Sequence, residues 1–241
     1  MNVNFEAVRF VIETRSPIVM TEFAPQFDSL VFEALQQCTL LDRNGIIERM
    51  KSLIKFHKEF GVFHASAMRF GITAEQGITP RKYVRVDSLR DKLSSQYFGP
   101  NGKPKKDGTS RYVAVTTAGG PFSLRLNERL SYESPFVCFD AFCDVSNVTK
   151  LLENNFIGIG YDAFRAGQGE IKRITSLPLD VDCSLFCNGE ARRNLPSSIK
   201  GVSGVLSLSP LVPPYYQEVR TSCFSAPRIS TISKDNLTKP I

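Results

Sequence analysis

A glycine-rich segment between a helical pattern and a strand pattern constrains the fold of this chain more than any other feature. Gly158, Gly160, Gly167 and Gly169 fall within twelve residues, and residues 170–177 then read as a strand. Glycine allows a positive φ and a close approach by another backbone. Such a connection also exposes backbone N–H groups that can bind phosphate oxygens. The segment therefore indicates either a tight helix-to-strand connection whose glycines serve packing or a loop that lies against a phosphate backbone.

Patterns of apolar residues around this segment predict a mixed α+β domain. Residues 3–14 read as a first strand because Val8, Phe10 and Ile12 alternate onto one face. The other predicted elements are a helix with Asp28 as its N-cap, a helix over 46–58, strands over 62–72, 111–117, 122–130 and 135–144, a short helix with Ser146 as its N-cap, and a strand over 170–177. This order is compatible with the β-α-β-β-α-β arrangement of a ferredoxin-like sheet.

The positive charge of the chain is concentrated in one polar stretch. The net charge is +6, and residues 81–111 carry nine Lys or Arg against three Asp, which accounts for all of it. We interpret residues 73–111 as a basic insertion that suits a polyanion partner, with a solvated loop as the alternative. Its candidate nucleic-acid-binding residues are Arg81, Lys82, Arg85, Lys103, Lys105 and Lys106. The core domain is then expected over 1–72 and 112–196, followed by a β-rich C-terminal extension over 197–241.

Motifs of common enzyme classes are absent from the sequence. There is no HExxH, GxSxG, Walker A or cysteine-protease signature. Residues 158–160 lack the third glycine of a dinucleotide fingerprint and follow a helical pattern, not a strand. His57 and His64 are the only histidines, and no shared helical face places them together. We therefore expect neither a catalytic site nor a cofactor.

The remaining composition indicates a cytoplasmic protein with reduced thiols and no metal. Cys138 with Cys143, and Cys183 with Cys187, could form two halves of a zinc site, but both pairs lie in apolar, strand-like runs without the tight turn of a zinc knuckle. Buried thiols are therefore the preferred interpretation. No run approaches the roughly 18 apolar residues that span a bilayer. The first residues also lack the basic and apolar regions of a signal peptide.

The glycine-rich segment resembles the glycine-rich loop of the CRISPR-associated RAMP superfamily. The matching residues are Asn154-Asn155-Phe156-Ile157-Gly158-Ile159-Gly160 and Phe164-Arg165-Ala166-Gly167-Gln168-Gly169-Glu170-Ile171. Residues 27–35 resemble the first helix of these proteins, and residues 192–196 form a distal basic turn. The resemblance covers about residues 3–36 and 120–196, and it is greatest to the Cas-five-like subunit of type IV effector complexes. It implies a ferredoxin-like (RRM-like) RAMP domain.

This resemblance implies a non-catalytic subunit that binds guide RNA. Such a subunit grips the 5′ handle of the crRNA, contacts the backbone and large subunits, and in related complexes helps to read the motif flanking the target duplex DNA. Carried onto the matching positions, it implies phosphate contacts from Gly158, Gly160, Arg165, Gly167, Gln168 and Gly169. The candidate RNA-binding set also includes Tyr161, Lys172, Arg192 and Arg193. Asp162 departs from the more basic family pattern, and we expect its carboxylate to point away from phosphate or to bind a base edge.

Two other functions are compatible with the sequence. The first is a metal-independent pre-crRNA processing endoribonuclease of the same superfamily. The lack of a histidine in the glycine-rich segment favours the binding role, although some processing enzymes of this group use arginines instead. The second is an unrelated DNA- or protein-binding module with a basic surface.

Overall fold

The computed structural model of the chain describes residues 4–21, 23–87, 93–94, 112–113, 125–156, 158–161, 163, 167–215 and 220–240. The chain divides into two compact units, a larger one of residues 1–81 and 131–241 and a smaller one of residues 82–130. The smaller unit overlaps the predicted insertion over residues 82–111 and continues to Leu130. Residues 112–130 therefore lie outside the larger unit, although the sequence prediction assigned them to the core domain.

Three α-helices and a series of mostly short strands make up the described part of the chain. The helices are α1 (Phe27–Cys38), α2 (Arg43–Lys51) and α3 (Val145–Asn155), with a 3-10 turn at Lys234–Asn236. The strands are β1 (Glu6–Thr14), β2 (Ile18–Val19), β3 (Phe56–His57), β4 (Val62–Phe63), β5 (Arg69–Ile72), β6 (Thr79–Asp87), β7 (Leu93–Ser94), β8 (Tyr112–Val113), β9 (Arg125–Glu133), β10 (Val137–Cys143), β11 (Ile171–Pro178), β12 (Phe186–Cys187), β13 (Glu190–Ala191), β14 (Leu195–Pro196), β15 (Val205–Ser209), β16 (Thr221–Ser225) and β17 (Thr231–Ser233). Within these described residues, no helix is both long enough and apolar enough to cross a membrane.

Five strands of the larger unit form its central sheet, in the order β11-β1-β10-β5-β17. β1 is antiparallel to both β10 and β11, and β10 is antiparallel to β5. β17 joins the far edge in parallel with β5. α1 follows β1 in the chain, and α3 connects β10 to β11. The sequence prediction of a mixed α+β protein is therefore confirmed.

One face of this sheet carries the main hydrophobic core. The alternation predicted for β1 is confirmed, because Val8, Phe10 and Ile12 are all buried. Phe10 stacks on Phe27 of α1 with ring centroids 4.6 Å apart, and α1 packs against α3. Burying one such side chain contributes roughly 1.5–3 kcal/mol. This face therefore joins the sheet to its helices.

The opposite face of the sheet carries a buried charged network. Asp140 Oδ1 accepts from Arg9 Nε at 2.6 Å, and Asp140 Oδ2 accepts from Arg69 Nη2 at 2.5 Å. All three side chains are 4% exposed or less. Burial alone would lower the pKa of Arg9, but the hydrogen bond and charge of Asp140 raise it above its usual value. Arg9 Nη1 also donates to three carbonyl oxygens within residues 236–239, so the network fastens this segment to β1.

The N-terminal boundaries of α1 and α3 differ from the sequence prediction. Gln26 occupies the N-cap position of α1, and the predicted cap, Asp28, is buried within the first turn. Asp144 caps α3 in place of Ser146, because its carboxylate accepts from the backbone N–H of Asn147 at 3.1 Å. Asp and Ser are both good N-cap residues. Residue type alone therefore did not determine which position lies outside the helix.

α2 is shorter than the helix predicted over residues 46–58. It ends at Lys51, and the chain then turns into the central sheet. Ile54 pairs with Cys143 of β10, and the backbone N–H of Lys55 donates to the carbonyl oxygen of Phe142 at 3.0 Å. Pairing with β10 therefore replaces the end of the predicted helix.

Candidate nucleic-acid interface at the glycine-rich segment

The glycine-rich segment, residues 158–170, connects α3 to β11 and folds back on itself. Gly158 pairs with Glu170 as an antiparallel bridge, and the backbone N–H of Ile159 donates to the carbonyl oxygen of Gly169 at 3.0 Å. Gly167 N–H donates to Ala163 O at 3.2 Å. The two ends of the segment are thus joined to each other before β11 begins.

The segment is also fastened to residues 16–19, which follow β1. Gly169 N–H donates to Pro17 O, and Tyr161 N–H donates to Val19 O, each at 2.9 Å. The Ser16 hydroxyl donates to Gly167 O at 2.7 Å and accepts from Glu170 N–H at 3.0 Å. These bonds fix the segment at the end of β1.

Close packing accounts for three of the four glycines. Gly160 has a φ of +94°, and a Cβ there would lie 2.6 Å from the carbonyl oxygen of Val19. Gly169 has a φ of +60°, and a Cβ would collide with the backbone of Ile159. At Gly158 a Cβ would lie 3.0 Å from two carbonyl oxygens of the segment. The packing interpretation of the glycines therefore holds at these three positions.

Gly167 is the exception. Its φ is +64°, but a Cβ there would have no atom within 4 Å. The residue is exposed at the outer edge of the segment, and Gln168 beside it is partly exposed. Gly167 is therefore the glycine best placed to approach a ligand.

Fewer residues of the segment can contact phosphate than the sequence predicted. The backbone N–H groups of five residues in the segment donate within the protein, namely those of Ile159, Tyr161, Gly167, Gly169 and Glu170. Gly158 and Gly169 are also buried. Because these five N–H groups bind within the protein, the prediction that N–H groups of the segment face phosphate is wrong for them. Gly160, Tyr161, Gly167 and Gln168 keep exposed or partly exposed surface, and Arg165 and Asp162 lie outside the described residues.

Cationic side chains stand beside the segment where β11 begins. Lys172 and Arg173 are exposed, and both pair with Glu13 of β1. The hydrogen bond from Arg173 is the main cause that holds the pKa of Glu13 below its usual value. Arg15 and Glu170 form a further exposed pair at 3.2 Å. Exposed ion pairs contribute little to stability, so these cations can exchange a carboxylate for a phosphate at small cost.

The prediction that Arg193 binds RNA is wrong. Its side chain is completely buried, and Nη2 lies 3.1 Å from Asp28 Oδ2. Nη2 also donates to Leu211 O at 2.7 Å and to the Tyr215 hydroxyl at 2.9 Å. The charge of Asp28 offsets burial and raises the pKa of Arg193 above its usual value. Arg193 therefore connects α1 to the C-terminal region and cannot contact a ligand.

The other predicted basic residues are partly buried, paired with a carboxylate, or outside the described residues. Arg192 is partly buried, and its Nε is buried without a hydrogen-bond partner among the described atoms. In the larger unit Arg81 pairs with Glu133 at 2.6 Å, and in the smaller unit Lys82 pairs with Glu128 at 2.7 Å. Arg85 is described and partly buried. Three predicted residues lie outside the described part of the chain: Lys103, Lys105 and Lys106.

The two histidines lie together, a proximity that their spacing in the sequence did not reveal. The hairpin of β3 and β4 brings the rings of His57 and His64 to a centroid distance of 5.7 Å. His64 Nδ1 lies 2.6 Å from Asp182 Oδ2. His64 Nε2 is buried and has no hydrogen-bond partner within the described residues.

This histidine pair is far from the glycine-rich segment. His64 contacts Phe142, which pairs with Ala7 near the start of β1. The segment lies instead beside Thr14, at the other end of that strand. A nine-residue strand spans about 27 Å. The histidines are therefore not placed to act on a strand bound at the segment.

His57 is expected to make stability depend on pH. The pKa of His57 lies below the usual 6.5, mainly because of burial and secondly because of the charge of His64. The backbone N–H of Phe60 donates to His57 Nδ1 at 3.3 Å, which also favours the neutral ring. The unfolded chain then binds a proton more readily than the folded chain. The free energy of unfolding should fall as the pH drops below about 6.5, and it should stop falling below the folded-state pKa.

Urea unfolding at several pH values measures this effect. Replacing His57 with glutamine should flatten the decrease of stability below about pH 6.5. An equal decrease in the wild type and His57→Gln would contradict it.

The cysteines give no support to a metal centre. Among the residues that the structure describes, no group of three or more His, Cys, Asp or Glu side chains is placed to hold a metal ion. Cys183 Sγ and Cys187 Sγ lie 3.1 Å apart, and both residues are buried. Burial raises the pKa of Cys138 to about 11, so its thiol stays protonated.

Comparison with known proteins does not assign the chain to a family. No family model matches it, and no curated protein matches its sequence.

Proposed function

We propose that the chain is a non-catalytic guide-RNA-binding subunit of a CRISPR effector complex, acting in the cytoplasm and built on a ferredoxin-like RAMP domain. It grips the 5′ handle of the crRNA and contacts the backbone and large subunits. It also helps to read the motif that flanks the target duplex DNA. These partners follow from the resemblance of the glycine-rich segment to the RAMP loop.

The order of four strands supports the ferredoxin-like part of this proposal. β1, β5, β10 and β11 correspond in chain order to the four strands of a β-α-β-β-α-β unit, with α1 and α3 as its helices. β10 and β11 are the third and fourth strands of this unit. In the sheet, β1 lies between them and is antiparallel to both. On this interpretation α2, the hairpin of β3 and β4, and the smaller unit are insertions, and β17 is an added edge strand.

The position of the glycine-rich segment is the observation that carries the RNA-binding part. The segment is fixed at the end of β1, with Gly160 and Gly167 exposed and Lys172 and Arg173 directly after it. Phosphate contacts from basic side chains position a nucleic-acid strand without reading its sequence. A rigid turn with two exposed cations beside it suits that role.

Purified protein incubated with repeat-derived RNA in the absence of metal tests the proposal. We expect stable binding to the single-stranded RNA without cleavage, weaker binding to single-stranded DNA of the same sequence, and an affinity that falls with salt. Fluorescence anisotropy measures the affinity, and a denaturing gel shows whether the RNA is cut. No preference for RNA would contradict the proposal.

Replacing Gly167 with glutamate should weaken RNA binding about tenfold at low salt, because a carboxylate would stand where a phosphate is expected. Gly61 offers a matched control, since its φ is +66° and a Cβ there would also have no atom within 4 Å. Gly61→Glu should have a similar cost in stability but leave the affinity unchanged. Equal affinities of Gly167→Glu and Gly61→Glu would show that the segment does not contact RNA.

A metal-independent endoribonuclease is the second candidate function, and one observation favours it. The contact between His64 and Asp182 orients an imidazole, and His57 lies beside it, as an acid–base mechanism requires. RNA cut by this pair would be bound at the hairpin of β3 and β4 and not at the glycine-rich segment. Site-specific cleavage of the repeat RNA that His57→Gln abolishes would establish this alternative. Cleavage that survives His57→Gln would exclude the pair as its cause.

A further inference from the structure

A groove lies on the charged face of the central sheet, close to the glycine-rich segment. Its volume is about 290 Å³. β1 and β11 form its base, and the 3-10 turn and residue 237 border it on the C-terminal side. We call it the sheet-face groove. Small-molecule sites usually measure about 300–1,000 Å³, so the groove has room for one planar ring system.

The floor of the groove is apolar and rigid. Phe136 belongs to a small buried cluster, against which Val11 and Leu237 pack. The carbonyl oxygen of Phe136 accepts from Gly71 N–H at 2.7 Å and from the Ser134 hydroxyl at 2.6 Å. A Cβ at Gly71 would collide with the Phe136 ring, which shows how closely the backbone underlies it. The groove is therefore part of the folded structure.

The mouth of the groove is cationic. Arg173 and Lys234 line it, and Glu13 is the acidic side chain among its described lining residues. Glu13 is already paired with Arg173 and Lys172. The cations beside it therefore outnumber the carboxylates, and an anionic group at the mouth is favoured over a cationic one.

The groove is continuous with the RNA-binding segment proposed above. Arg173 stands three residues after Glu170, the last residue of the segment, and its partner Glu13 is two residues before Arg15. Thr175 follows on the same face of β11, opposite Val11 of β1. A nucleic-acid strand that contacts Lys172 therefore lies next to Arg173, which lines the groove.

We propose that the sheet-face groove holds one unpaired base of the bound RNA. The base packs on the apolar floor, the hydroxyl of Thr175 is available to its edge, and the adjoining phosphate contacts Arg173 and Lys234. Single-stranded RNA recognition typically combines these features: a splayed-out base, an apolar platform and nearby cations. The assignment rests on the RNA-binding function and specifies a base subsite within it.

Replacing Thr175 with phenylalanine tests the subsite by filling the groove. Thr175 is exposed, and phenylalanine suits a strand. The affinity for repeat-derived RNA should fall about tenfold, the usual effect of losing one stacked base. Thr221→Phe is the matched control, since Thr221 is an exposed threonine on a strand of another sheet, and it should bind as the wild type does.

A set of RNAs, each with one abasic nucleotide, provides the second measurement. An abasic nucleotide at one position of the RNA should weaken binding to the wild type about tenfold. The same RNA should bind Thr175→Phe no more weakly than the intact RNA does. If Thr175→Phe does not fold, Lys234→Glu replaces it as the groove variant. Its RNA affinity is then compared with that of Lys200→Glu, a surface control. Wild-type affinity in the folded groove variant, or no sensitive abasic position, would overturn the subsite and leave the RNA-binding function standing. Failure of the wild type to bind RNA would overturn both.

Discussion

Replacing Asp140 with alanine should cost more stability than any other single substitution considered for this protein. The Asp140 carboxylate pairs with both Arg9 and Arg69, and all three side chains are buried. Its removal leaves two guanidinium groups in the interior without a counter-ion. Breaking one buried pair typically costs about 3–5 kcal/mol, whereas a whole domain is stable by only about 5–15 kcal/mol. We therefore expect Asp140→Ala to be largely unfolded at 37 °C.

Urea unfolding at 25 °C measures this loss, and an exposed ion pair provides the control. Glu48 and Lys51 lie 2.6 Å apart on the surface of α2. Removing Glu48 should cost no more than about 0.5 kcal/mol. A loss below about 1 kcal/mol in Asp140→Ala would mean that water reaches the two arginines, contrary to their burial. Limited proteolysis should also cut residues 234–240 faster in this variant, because Arg9 would no longer be oriented to bind their carbonyl oxygens.

Replacing Gly169 with alanine should destabilise the protein by about 3 kcal/mol, combining left-handed backbone strain with overpacking. The new Cβ would collide with the backbone of Ile159. Relief of that collision would break the hydrogen bond from Ile159 N–H to Gly169 O. The change should therefore separate the two ends of the glycine-rich segment.

Gly167→Ala is the natural comparison. Its φ is equally positive, but its Cβ would meet nothing within 4 Å, so only the backbone strain of about 1–2 kcal/mol remains. Thermal and urea unfolding of both variants should show the larger loss in Gly169→Ala. If the two losses were equal, close packing of the segment would not be the reason for glycine at residue 169.

Regular apolar patterns made much of the central sheet predictable from the sequence. The alternation in β1 and the continuous apolar run of β10 identified two neighbouring strands, because each pattern reflects burial on one or both faces. A helix was also predicted where α1 lies, although its N-cap was misplaced by two residues. α2 shows the limit of this reasoning, since its predicted final turns pair instead with β10. Tertiary pairing overrode local helix propensity there.

Long-range polar contacts could not be predicted in the same way. Asp28 has the residue type of an N-cap and Arg193 that of a nucleic-acid ligand, yet they form a buried pair across 165 positions of the chain. Nothing in either local sequence indicates that partner. His57 and His64 are a similar case, because a short hairpin and not a helix brings them together.

The sequence placed the glycine-rich segment between a helix and a strand, as α3 and β11 confirm, but it did not separate the roles of the glycines. Glycines that admit a neighbouring backbone and glycines that admit a ligand look alike in a sequence. Here Gly158, Gly160 and Gly169 serve packing, and Gly167 alone faces open space. The sequence prediction also omitted Arg15 and Arg173, whose places beside the segment depend on the pairing of β1 with β11.

The fastening of residues 236–239 by Arg9 has a consequence for synthesis on the ribosome. These contacts cross 227 to 230 positions of the chain. Arg9 can meet Asp140 once β10 has emerged, but its Nη1 group must wait for Lys239. At about 5–20 residues per second, that interval lasts roughly 5–20 s. Until then the charged face of β1 lacks the C-terminal segment that packs on it in the folded protein.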